Sequence, residues 1–118
     1  SVWAERLRAA RRRWIDVGNG LEVQILRPQD DISDEFFPDA MTPAQRVMAI
    51  AQRYVDDWRG MTEERLLPGV GGDADVPFDP DVWREWLPDH LEVAAQVFDA
   101  CMADLKAWRQ RVEDSTEK

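Results

Sequence analysis

Apolar residues recur along this chain at two different periods. At the start they follow a helix. Trp3, Leu7 and Ala10 fall at i, i+4 and i+7 with arginines on the other faces, which predicts a helix over residues 2–12. The period then changes to two. Leu21, Val23 and Ile25 alternate with polar residues, and Gly18-Asn19-Gly20 separates them from Trp14-Ile15-Asp16-Val17. Asn-Gly between two such runs is a strong hairpin signal, because a type I′ turn needs positive φ at both central positions. The hairpin is placed at 13–28, with Pro28 ending the second strand. Two strands alone are marginal in water, so this pair must pack on the helices or extend a sheet in a partner.

Helical spacing returns after an acidic connection at 29–40, in which Ser33 can cap one turn carrying Phe36 and Phe37. That stretch reads either as a loop pinned by its phenylalanines or as an acidic-aromatic docking segment. Thr42 then caps a helix with Pro43 at its first position. Val47, Ile50, Ala51, Tyr54, Val55 and Trp58 form one stripe and Gly60 stops it, so the helix is expected over 42–59. Residues 60–78 read as a linker, with a short helix near Met61–Leu67 and a flexible Pro68-Gly69-Val70-Gly71-Gly72 loop. Asp79-Pro80 opens a short helix over 79–87, and Pro88 breaks or restarts it. The last helix is expected over 89–112, about 36 Å at 1.5 Å per residue, long enough for its far end to project. Residues 113–118 are expected to fray. The pattern as a whole predicts a single domain over 1–118 that is mainly α with one N-terminal β-hairpin (α+β). It would be a small helical bundle with a long C-terminal helix.

Charge adds a polarity to this picture. The 118 residues carry a net charge of −9. Residues 1–28 hold six arginines against Glu5, Asp16 and Glu22, a local +3, so the remainder holds −12. A basic end and an acidic body could pair within the molecule or between copies, giving self-association, or simply be solvated. The overall negative charge argues against general nucleic-acid binding, since phosphates would be repelled. No apolar run is long enough to span a bilayer, and the first residues lead straight into an arginine-rich helix rather than a secretory signal. The single cysteine, Cys101, excludes an internal disulfide and sits on an apolar helical face, as a buried inert thiol would; a reducing cytosol is the simplest compartment. Six tryptophans imply a Trp-rich core or rings at an interface.

Residues able to carry catalysis are few. His90 is the only histidine, which rules out a multi-histidine relay and reads as a residue of a helix start. Ser33, Thr42 and Thr62 read as caps or loop residues and Ser115 as tail. The Gly69-Val70-Gly71-Gly72 loop lacks the Gly-Lys-Ser/Thr ending of a phosphate cradle. Asp73, Asp75, Asp79 and Asp81 resemble a calcium ladder, but Pro77 and Phe78 interrupt it, and the central Gly and final Glu of an EF-hand loop are missing. Acid pairs such as Asp30/Asp31 and Asp56/Asp57 read as solvated charge. The expectation is therefore no enzyme, no cofactor and no metal.

Three stretches taken together resemble a group of phage proteins. They are Arg13-Trp14-Ile15-Asp16-Val17-Gly18 with Leu21 to Pro28, then Val55-Asp56-Asp57-Trp58-Arg59-Gly60-Met61-Thr62, then Val76-Pro77-Phe78-Asp79-Pro80. Their order, over most of residues 13–100, is similar to that of the tail assembly chaperones and tail accessory proteins of long-tailed phages and prophages. The linker Pro68–Asp75 is longer than that group's pattern. The resemblance implies a protein-binding role in the bacterial cytoplasm, keeping the long helical tape-measure protein or another tail protein soluble before the tail tube assembles. The residues expected to contact the partner are Trp83, Trp86, Phe98, Met102, Leu105 and Trp108, which otherwise serve the core. A structural virion protein or connector, docking its basic helix and hairpin onto a ring, is the alternative.

Overall fold

The computed structural model describes residues 1–32 and 41–116. The Ser33 cap and the Phe36–Phe37 turn lie outside the described residues, as do the last two positions of the expected tail. Helix α1 spans Val2–Ala10, with the Ser1 hydroxyl accepting from the Ala4 amide at 3.2 Å. It stops short of the expected end because Arg12 already belongs to a strand. Strand β1 (Arg12–Asp16) pairs antiparallel with β2 (Glu22–Leu26), setting Arg13 opposite Ile25 and Ile15 opposite Val23. In the connection the Leu21 amide donates to the Gly18 carbonyl at 3.0 Å. The two residues inside that turn, Asn19 and Gly20, have φ of 54° and 79°, a region that glycine and asparagine enter most easily.

The stripe read as one helix over 42–59 is two elements. Helix α2 covers Pro43–Arg53 behind a capping box between Thr42 and Gln45. The chain then turns at Tyr54 and becomes strand β3 (Val55–Arg59), which pairs antiparallel with β2 on the side away from β1. The sheet thus has three strands in the order β1-β2-β3, and the partner that the first two strands required lies in the same chain. Ile25 faces Val55 while Gln24 faces Asp57, so Asp56 is an extra residue in a bulge. The bulge puts Val55 and Trp58, three apart, both on the buried side. Asp56 on the bulge takes the Arg12 guanidinium at 2.9 Å.

The chain is α+β with a long C-terminal helix, as expected, but its helices cover one face of a three-stranded sheet instead of forming a bundle beside a hairpin. Short helix α3 (Glu63–Leu66) is followed by α4 (Pro80–Trp86), a 3₁₀ turn (Leu87–Asp89) and the long α5 (Leu91–Thr116). Helix α5 packs on both α2 and β2. Val23 and Ile25 of the sheet, Ile50 of α2, Trp83 and Leu87, and Val97 and Cys101 of α5 meet in one wholly buried core. On α5 the buried positions are Ala94, Val97, Cys101 and Leu105, a stripe that ends before the last two turns, and residues 109–116 are exposed on every side. The expected fraying over 113–116 gives way to helix, with Gln110 donating to Asp114 at 3.0 Å across one turn. The expected linker is also ordered: the Glu63 amide donates to Ala74, Glu64 to Gly72 and Val76 to Met61, all within 3.0 Å. The Gly69 amide donates to the Glu64 carboxylate at 2.9 Å.

Candidate functional site

The six residues expected to meet a partner divide between core and surface. Trp83 is 0% exposed, its indole N–H donating to the Ala51 carbonyl at 3.0 Å, and Leu105 is buried as well. Trp86 stacks on Trp83 at 5.8 Å and is 7% exposed. Phe98, Met102 and Trp108 are half-buried against the core. Trp83 and Leu105 therefore serve packing rather than contact. The sheet with its third strand offers a full apolar face, and α4 and α5 spend their stripes covering it.

The exposed apolar side chains lie elsewhere. Helix α1 has no buried residue, and Trp3 and Leu7 on its stripe are 66% and 67% exposed. The Arg6 guanidinium lies over the Trp3 ring at 4.3 Å. A nine-residue helix with no buried residue is marginal by itself in water. Ser1 as cap, Glu5 in the first turn and Arg8 in the last give it what local support it has.

A second apolar surface is concave. Leu66, Leu67, Pro68, Val82, Trp86 and His90 line a groove of about 570 Å³ rimmed by Glu85 and Asp89. It forms because the ordered 60–78 segment lays α3 alongside α4, and Leu67 is left 59% exposed on its wall. The His90 ring stacks on Trp86 at 3.7 Å and 13°, and its Nδ1 is 3.0 Å from the Trp86 carbonyl. Because a carbonyl only accepts, that contact keeps the proton on Nδ1 and fixes the ring as a wall of the groove. Behind the same pair of rings, a cleft of about 550 Å³ runs between the Gly18–Leu21 turn, Arg65 and the first turn of α5. Arg65 reaches across it to the Asn19 carbonyl.

The opposite end of α5 is basic. Arg13 lies in the sheet register on the face α5 covers, and its guanidinium forks onto Asp104 with both bonds at 3.0 Å. Hydrogen bonding to Asp104 raises the Arg13 pKa. Arg11, Arg27 and Arg111 line a small cleft beside this pair, and the Arg27 guanidinium lies 4.5 Å over the Trp108 ring. Burial lowers the pKa of Arg11 and Arg27, and neighbouring arginines lower both further. These cations are therefore gathered against their own repulsion.

Cys101 lies on the buried face of α5, with its thiol pushed up to about 12 by burial. A thiol held protonated is a poor nucleophile. Native protein at pH 8 is expected to leave Cys101 unmodified by a disulfide reagent, with one equivalent reacting on adding denaturant; reaction of the folded protein at the unfolded rate would contradict the packing. The same shift sets a sign for stability. The unfolded chain loses the thiol proton near pH 9 while the folded chain keeps it to about 12, so this group's contribution falls as pH rises through that window.

Among the described residues no group of three His, Cys, Asp or Glu is placed to hold a metal ion. No helix among them is long and apolar enough to cross a membrane. No protein-family model, curated protein or solved structure matches this chain. The surface thus offers an apolar trough with acids beside it and an exposed basic helix with an apolar stripe. The stripe of α1 was legible from the spacing of Trp3 and Leu7. The groove was not, because its walls come from two segments whose approach depends on the 60–78 hydrogen bonds.

Proposed function

We propose that the chain is a protein-binding assembly factor without covalent chemistry, acting as the resemblance to phage tail assembly chaperones implies. It would hold an amphipathic helix of the long tape-measure protein, or of another tail protein, during tail morphogenesis in the bacterial cytoplasm. The observation that supports this most is the groove between α3 and α4. Recognition of a helix in a groove needs an apolar floor for two or three side chains one turn apart and a rim that fixes their flanks. Trp86 and Val82 supply the floor, Leu66 and Leu67 a wall, and Glu85 and Asp89 a rim that favours a helix with basic flanks. Negative charge elsewhere on the chain would keep such a complex dispersed.

Co-expression with the tape-measure protein tests the reading. The expected result is that the tape measure stays in the soluble fraction and co-elutes with this chain, and that Leu67→Asp abolishes the complex while leaving the fold intact. A tape measure that remains insoluble, with no complex eluting, would sink it. The exposed face of α1 favours a second reading, a structural connector docking that helix onto a ring. Recovery of the chain in finished particles, rather than only in complex with the tape measure, would argue for the connector.

A further inference from the structure

The exposed stripe of α1 and the groove of α3–α4 complement each other, and we infer that α1 of one copy docks into the groove of a second copy, head to tail. The inference rests on the groove being a helix-binding site, as above, and names a further occupant for it. The two surfaces match in shape. Trp3 and Leu7 stand one turn apart on α1, and the groove of about 570 Å³ offers apolar side chains and the edge of a tryptophan. They also match in charge. The first 13 residues carry five arginines against Glu5, while residues 61–92, which build the groove, carry nine acids against Arg65 and Arg84. Arg6, packed over Trp3, would arrive beside the Glu85 and Asp89 rim.

Geometry keeps the two surfaces of one copy apart. The root of α1 is tied to α5 at Asp104 through Arg13, whereas the groove abuts His90, immediately before α5 begins. From Leu91 to Asp104 is about 20 Å at 1.5 Å per residue, and α1 reaches only about 13 Å by the same rise. A helix of that length rooted there falls short of its own groove. Contact between copies therefore uses two different surfaces, which makes it heterologous and able to propagate into a ring or filament. One short helix in one groove lies at the small end of interface sizes, so the association is expected to be weak and salt-sensitive.

Complementation between two variants tests this, with sedimentation as the readout and circular dichroism to verify that each variant folds. The helix variant is Trp3→Ala/Leu7→Ser, and the groove variant is Leu67→Asp/Glu85→Lys; all four positions are solvent-exposed. The wild-type mass is expected to rise with concentration, and its Kd to weaken at least threefold in high salt. Each variant alone should stay monomeric. Their equimolar mixture should give a one-to-one dimer and nothing larger, because the helix variant keeps its groove and the groove variant keeps its helix. A monomeric wild type, self-association of either variant, or a mixture that remains monomeric would each overturn the proposal. The chaperone reading fails separately: the helix variant retains the groove, so failure of that variant to bind the tape measure, with wild-type self-association intact, would count against that reading alone.

Discussion

Trp83→Ala is expected to lower the unfolding free energy by roughly 3–5 kcal/mol, the range for truncating a wholly buried large aromatic side chain. Three losses combine. The indole occupies the space between sheet and helices with no exposed area. Trp86 loses its stacked neighbour at 5.8 Å and Trp58 loses a tilted one at 6.4 Å. The Ala51 carbonyl, at the wholly buried Ala51, loses its 3.0 Å donor. Trp83→Phe separates these terms. It keeps most of the volume but leaves the carbonyl without that donor, so roughly 1–3 kcal/mol is expected. Denaturant unfolding followed by far-ultraviolet circular dichroism measures both. A change under about 1 kcal/mol for Trp83→Ala would mean that this ring does not organise the core.

Gly60→Ala should be nearly as damaging, for a different reason. Gly60 sits just after β3 with φ of 81°, and a Cβ there would meet the Gly20 carbonyl oxygen at 2.1 Å. That oxygen is backbone, belonging to the turn that joins β1 to β2, so it cannot swing away as a side-chain tip would. An added methyl must push the end of β3 off the turn, and a loss of roughly 2–4 kcal/mol is expected from the clash and the strained backbone together. Gly18→Ala is the control. Its φ is 96°, but nothing lies within 4 Å of the new Cβ, so only the conformational term of about 1–2 kcal/mol applies. Equal losses at the two positions, read from urea midpoints, would show that the contact between β3 and the turn is not tight.

How far the sequence foretold this fold is clearest at β3. Val55 and Trp58 continue the spacing of Val47, Ile50, Ala51 and Tyr54, and apolar residues three apart belong on one face of a helix but on opposite faces of a regular strand. The bulge at Asp56 brings both back to the same face, so a strand acquires a helical signature. Only the third partner for β2 reveals it, and pairing across the chain leaves no local trace. The long helix α5 was legible because its buried stripe is regular and nothing interrupts it. Part of the expected contact surface was misplaced for the same reason that β3 was missed. Without a third strand the core is too small to use Trp83 and Leu105, so they look available for a partner. The basic helix α1 was visible from the start, as arginines around a two-turn apolar stripe, but the exposure of that stripe depends on the path of the chain after Arg12.

The central place of β2 also orders events during synthesis. The first two strands leave the ribosome early, but β3, the third member of their sheet, is complete only when Arg59 has been made. At 5–20 residues per second, the stretch from Leu26 to Arg59 takes roughly 2 to 7 seconds to translate. Through that interval the outer edge of β2 has its amides and carbonyls unmatched, with Val23 and Ile25 uncovered until α5 follows. The nascent chain is thus at its stickiest before its own last strand and helix arrive, and a cell making it quickly would be favoured over one that stalls between those two points.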